Sequence, residues 1–170
     1  MTEPPHQIFL LDSNTLIEAH RRYYSFDLCP GFWECLTHYC GKARLLSIDR
    51  VRGEITGGDE LHEWVRKAPA SFFVSTADLE VLATYAQIME SVRHDPTYSE
   101  QAIERFARGA DGWLVAHAHV FGYTVVTLEK YEPESKKSVK IPNICREFDV
   151  PYTDTFVMLR SLEVQFAWPA

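Results

Sequence analysis

Ile8-Phe9-Leu10-Leu11 runs directly into Asp12-Ser13-Asn14 and then into Thr15-Leu16-Ile17-Glu18-Ala19-His20. Four apolar residues with no polar alternate describe a strand covered on both faces. Asp, Ser and Asn accept the free N–H groups of a first helical turn, so the segment reads as strand, then helix. The same grammar recurs downstream. A helix over Gly31 to Tyr39 stopped by Gly41 leads to a strand at Arg44 to Ile48, then to a helix from Asp49 to about Thr56, ended by Gly57-Gly58. Glu60 to Lys67 reads as a helix closed before Pro69, and Phe72-Phe73-Val74 as a short strand. From Thr76 to Arg93, Leu79, Leu82, Ala86 and Met89 recur at helix spacing beside Val81, Tyr85, Ile88 and Val92, which predicts a largely buried helix. After the break at His94-Asp95-Pro96-Thr97 come helices over Ser99 to Arg108 and from Asp111 through Phe121, the latter stopped at Gly122. Tyr123 to Leu128, β-branched and apolar, is the best strand in the chain. Strands alternating with helices predict an α/β fold with a mostly parallel sheet between two helical layers, and ligands at the carboxyl ends of its strands.

Composition sets the frame. The 170 residues show no repeat, low-complexity segment or long linker, so a single domain over 1–170 is expected. Lys and Arg number 17 against 24 Asp and Glu, a formal charge of −7, which argues against holding nucleic acid by charge alone. It leaves a metal-dependent nuclease open, because a bound cation reverses the local sign of an acidic site. No apolar run approaches the ~20 residues of a membrane span, and Met1 to Gln7 carries neither the basic nor the apolar region of a leader. A cytoplasmic protein without membrane association is expected, with Cys29, Cys35, Cys40 and Cys145 as free thiols.

Two clear strands end in an acid: Ile8–Leu11 in Asp12, and Val125–Leu128 in Glu129. If they are parallel neighbours, both carboxylates meet at one sheet edge. Asp111 opens the helix before the second strand, and Glu54 lies on the helix after Arg44–Ile48. Each acid alone has an ordinary reading: Asp12 and Asp111 as helix caps, Glu54 as a solvated helix residue, Glu129 as a strand exit. Together they form the hard-oxygen set that Mg²⁺ or Mn²⁺ requires.

The order Leu10-Leu11-Asp12-Ser13-Asn14-Thr15-Leu16-Ile17, Val51-Arg52-Gly53-Glu54-Ile55, Ala110-Asp111-Gly112-Trp113-Leu114-Val115-Ala116-His117-Ala118 and Val125-Val126-Thr127-Leu128-Glu129 resembles the PIN domain, over nearly the whole chain. That nuclease family includes the VapC-type toxins of prokaryotic toxin–antitoxin pairs. The chain looks closest to a poorly characterised PIN-like branch in which Ile141-Pro142-Asn143-Ile144-Cys145-Arg146 follows the last acid. The resemblance implies a three-layer α/β/α fold with one or two Mg²⁺ or Mn²⁺ ions among Asp12, Glu54, Asp111 and Glu129, supported by Asn14 and Thr127. It further implies an endoribonuclease that hydrolyses RNA phosphodiesters, a cognate antitoxin as partner, and self-association into a homo-oligomer. Asp12 and Asp111 take the central ligand positions, with Glu54 and Glu129 flanking or water-mediated. In such sites a water of lowered pKa attacks phosphorus in line while the ions offset developing charge. At the fourth position the family commonly carries Asp where this chain has Glu129, so an inactive PIN-like binding module is the main rival.

A receiver-like phosphotransfer domain, phosphorylated on Asp12 or Asp49, is a second rival, though it lacks a lysine after a late strand in a convincing context. Cys29, Cys35, His38 and Cys40 suggest zinc, but their spacing departs from that of structural sites. His117 and His119 stand two apart on a helix and cannot chelate as a pair. Arg50, Arg52 and the Lys136, Lys137, Lys140 loop are placed to meet RNA phosphates, and Tyr23, Tyr24 and Tyr131 to stack on unpaired bases; a solvated face or a sealed core edge is the equal alternative. Arg21-Arg22 and Arg105 with Arg108 are further basic clusters.

Overall fold

The computed structural model describes residues 6–167; Met1 to Pro5, part of the Met1 to Gln7 stretch read above, and residues 168–170 lie outside the described residues. The apolar run forms β1 (Phe9–Leu11), and all three side chains are fully buried. Burying a side chain of this size contributes roughly 1.5–3 kcal/mol, which is why a strand only three residues long holds its place. The chain continues through α1 (Ser13–Glu18), a π-helical turn at Ala19–Tyr23, α2 (Pro30–Gly41), β2 (Leu45–Ile48), α3 (Asp49–Glu54) and α4 (Glu60–Lys67). Then follow β3 (Phe73–Val74), α5 (Leu79–His94), α6 (Glu100–Arg108), α7 (Asp111–Phe121), β4 (Thr124–Val126), α8 (Ile141–Glu147), β5 (Tyr152–Thr153) and α9 (Thr155–Ser161).

The five strands lie in the order β3-β2-β1-β4-β5, all parallel. Leu10 pairs with Leu46 on one side and Val125 on the other. The chain builds outward from β1 to β3, then returns to β1's free side, and right-handed crossovers place the two sets of helices on opposite faces. On one face Trp33 of α2 meets Trp64 of α4 at 5.1 Å, and Tyr39 donates to the Leu162 carbonyl just after α9. On the other, α5 packs on α7 and α7 on α8. The three-layer α/β/α expectation therefore holds. The receiver-like alternative needs the order 2-1-3-4-5, and the observed order excludes it.

N-cap side chains set the starts of α4, α5, α6 and α9. Asp78 accepts the N–H groups of Glu80 and Val81, so α5 begins at Leu79 rather than Thr76. Asp59, Ser99 and Asp154 cap α4, α6 and α9 in the same way, and Gly122, at φ +70, closes α7 in the left-handed conformation. The expectation that α5 is largely buried is corrected: only the face of Val81, Thr84, Ile88, Met89 and Val92 is covered, while Leu79 is 82% exposed. β4 is shorter than Tyr123 to Leu128, because Thr127 turns its hydroxyl toward Asp12 at the end of β1 and the chain leaves the sheet there. No helix among the described residues is long and apolar enough to cross a membrane.

Candidate active site

The sheet reverses its winding between β1 and β4, and in open α/β sheets the crevice beyond that point is where ligands bind. Asp12 follows β1 directly, with its backbone N–H on the Val126 carbonyl at 3.1 Å. Buried hydroxyls fix the surrounding backbone: Ser47 donates to the Leu11 carbonyl at 2.6 Å and Thr15 to the Val126 carbonyl at 3.1 Å. These satisfied polar groups hold both strand ends rigidly. Neither Ser47 nor Thr15 has a signal in the sequence, since their value lies in which carbonyl the sheet brings to them.

Asp12 is 1% exposed and makes no capping hydrogen bond to α1, although the Asn14 backbone N–H is near enough to favour its charged form. Its carboxylate instead accepts the Thr127 hydroxyl on Oδ2 at 3.2 Å and the Ser13 hydroxyl on Oδ1 at 3.3 Å. Thr127 Oγ1 also accepts the Glu129 N–H at 3.2 Å, so one hydroxyl joins the first acid to the backbone of the fourth. Ser13 is a contact the sequence reading missed. Asn14, expected to support the site, is exposed and contributes through its backbone.

Asp111 opens α7, but Ala110 occupies the cap position and the Asp111 carboxylate makes no capping bond. Glu54 ends α3 and sends Oε1 to the Ala110 N–H at 2.8 Å, thereby capping the helix that carries Asp111. Glu129 lies beyond β4 rather than at its end, and its Oε2 accepts the Ile141 N–H at 2.7 Å, which anchors the start of α8. Both glutamates thus have structural work as well as charge.

The four carboxylates act on one another. Burial, then the Glu129 charge, pushes the Asp12 carboxyl up to about 7; Thr127 and Asn14 pull it down, and Glu54 adds to the rise. Burial, then Asp12, Glu129 and Glu54, pushes Asp111 up to about 8, with Lys140 opposing. Burial and like charge both favour the protonated acid, and the pair titrates as a unit. Two neighbouring acids raised in this way, one buried and one half-buried, mark a candidate functional site.

Among the described residues no group of three His, Cys, Asp or Glu side chains is gathered tightly enough to hold a metal ion. The donor set nevertheless suits Mg²⁺ or Mn²⁺, because Mg²⁺ usually binds through one or two carboxylates and keeps several waters. The largest apolar groove, about 520 Å³ and lined by Phe26, Trp33 and Trp64, shares no residue with the acids. Elsewhere Cys40 and Cys145 are buried, Cys29 and Cys35 half-buried, and all four are free. His117 is buried and His119 exposed. Tyr131 lies against Arg146, with the guanidinium 3.8 Å from the ring centroid.

The family model described as Domain of unknown function (DUF4411) matches residues 9–166. The chain belongs to the DUF4411 family. No curated protein matches this DUF4411 chain. Among solved structures it is similar to FitAcB from Neisseria gonorrhoeae, with a TM-score of 0.50 and 19% identity over 85% of this chain and 96% of that one. It is similar also to FitAB bound to an IR36 DNA fragment, with a TM-score of 0.50 and 19% identity over 86% and 94% of the two chains. At this identity the likeness concerns the fold, and the DUF4411 chain has the PIN-like α/β/α architecture.

Proposed function

We propose that this chain, acting as one PIN-like unit over residues 1–170, is a Mg²⁺- or Mn²⁺-dependent endoribonuclease and the toxin of a toxin–antitoxin pair. The observation that carries the reading is the mutual pressure on the buried Asp12 and the half-buried Asp111, two acids whose joint charge a cation would stabilise. Bound there, a divalent ion supplies a lowered pKa for water and neutralises charge on phosphate oxygens. Asp12 and Asp111 would hold it as central ligands, with Glu54 and Glu129 flanking or water-mediated. Thr127 and Ser13 orient the Asp12 carboxylate, and the Asn14 backbone N–H supports it. An RNA strand is the substrate, a cognate antitoxin covers the cleft, the protein self-associates, and it works in the cytoplasm.

A second reading has its own support: Glu54 and Glu129 each give one oxygen to a backbone N–H, as expected of a PIN-like interaction module that has lost turnover. Calorimetric titration with Mn²⁺ separates the two. The nuclease reading predicts saturable binding abolished by Asp111→Asn; binding absent in both proteins, or equal in both, favours the module.

A further inference from the structure

Arg50, like Arg146 over Tyr131, is held differently from the ion-paired helical arginines. Arg22, Arg66 and Arg108 each pair with a glutamate three or four residues earlier, at 2.8, 2.9 and 3.4 Å. Arg50 has Glu54 four residues later on the same face of α3, yet the two do not pair, because Glu54 Oε1 is spent on the Ala110 N–H. The guanidinium lies instead over the Trp113 ring, 4.2 Å from its centroid. Tyr85 stacks on the indole at 3.7 Å and 11°, which leaves the opposite ring face to Arg50. Arg50 Nε donates to Thr76 Oγ1 at 3.3 Å, and Thr76 is itself fixed by its N–H and hydroxyl on the Asp49 carboxylate at 3.1 and 2.9 Å. The stem and plane of this exposed side chain are therefore set, while among the described residues its two terminal nitrogens form no ion pair or hydrogen bond.

The position matters as much as the restraint. One face of α3 packs on the first turn of α7 through two contacts, Glu54 on Ala110 and Arg50 on Trp113, and Asp111 lies between those two residues. A flat guanidinium with free terminal N–H groups matches a phosphate, and fixing it in advance reduces the entropy lost on binding. In a chain of net charge −7, such a cation also offsets the repulsion that a polyanion meets on approaching four carboxylates. We infer that Arg50, pre-set on Trp113, binds a backbone phosphate of the RNA strand one helical turn from Glu54, so that the neighbouring phosphodiester lies at the acids. The inference rests on the ribonuclease reading and names the residue that positions its substrate.

The test is anisotropy of a labelled mixed-sequence single-stranded RNA, titrated in Ca²⁺ buffer over a salt series with wild type, Arg50→Gln, Arg50→Lys and Arg52→Gln, each checked by its melting curve. Arg52, two residues on and so on another side of α3, lies over Phe73 at 5.9 Å; it is not given the phosphate-binding role its sequence position allowed, and serves as the charge-matched control. Arg50→Gln is expected to bind about tenfold more weakly and to lower the salt slope by ~0.7, the value for one lost phosphate contact on a single strand. Arg50→Lys is expected to keep the slope while binding more weakly, and Arg52→Gln to match wild type. Equal losses in the Gln variants of Arg50 and Arg52, or an unchanged slope in Arg50→Gln while wild type binds, overturn the role of Arg50 alone. No RNA binding by wild type overturns this inference and the ribonuclease reading together.

Discussion

Glu54 Oε1 accepts the Ala110 N–H at 2.8 Å, so the second acid of the cluster holds the start of the helix that carries the third. Charge at the site and stability of α7 are thereby linked through one side chain. Glu54→Ala is expected to cost about 1 kcal/mol of stability, as for a lost helix cap, seen as a lower urea midpoint. Glu54→Gln keeps an acceptor oxygen and is expected to unfold near the wild-type midpoint while binding Mn²⁺ more weakly. Equal midpoints for the Ala variant and wild type contradict the capping role.

The raised carboxyls make stability depend on pH in a definite direction. Asp12 and Asp111 keep protons in the folded state that the unfolded chain releases near 3.8, so no penalty exists below that pH. As pH rises toward about 7 for Asp12 and about 8 for Asp111, the metal-free protein loses stability. Melting in EDTA is expected to show Tm falling from pH 5 to pH 8, with a flatter profile for Asp12→Asn. Added Mn²⁺ is expected to raise Tm more at pH 8 than at pH 6, because the ion must displace protons at the lower pH. A Tm in EDTA that rises across this range contradicts the assignment.

Thr127 serves both ends of the cluster. Thr127→Val keeps the shape but removes the donor to Asp12 and the acceptor for the Glu129 N–H. Loss of these bonds is expected to cost about 1–3 kcal/mol and to raise the Asp12 pKa further. Thr127→Ser is expected to restore both, as NMR titration of the Asp12 carboxyl carbon would show; a Val variant with an unshifted titration contradicts the role.

At Gly112 a Cβ would lie 3.0 Å from both Phe106 Cε1 and Tyr85 Cε2, closer than ordinary van der Waals contact. Gly112→Ala is expected to destabilise by about 1–3 kcal/mol and to displace the Tyr85 ring that backs Trp113. Chemical denaturation and near-ultraviolet circular dichroism read both effects.

The alternation of apolar runs and capped helices was enough to foresee the parallel three-layer sheet through β4, because buried strands and Asp or Ser caps leave local marks. The end of the chain left weaker ones. β5 is the half-buried pair Tyr152–Thr153, too short for any periodicity, and α8 starts on Ile141-Pro142 after Lys140, which supplies no capping side chain. The four acids were visible at strand and helix ends, but not their partners: that Glu54 would cap α7 or Glu129 anchor α8 depends on contacts across 56 and 12 residues. The burial of α5 was misjudged because its apolar residues wrap most of the helix, and only packing against α7 selects the Val81 face.

The most direct test is cleavage of a mixed single-stranded and structured RNA set in Mn²⁺, Mg²⁺ or EDTA, comparing wild type with Asp12→Asn and Asp111→Asn from parallel preparations. The account predicts cutting by wild type with either metal, none in EDTA, and none by either folded variant. Equal cutting by all three proteins, or no cutting by a folded wild type that binds Mn²⁺, would contradict it.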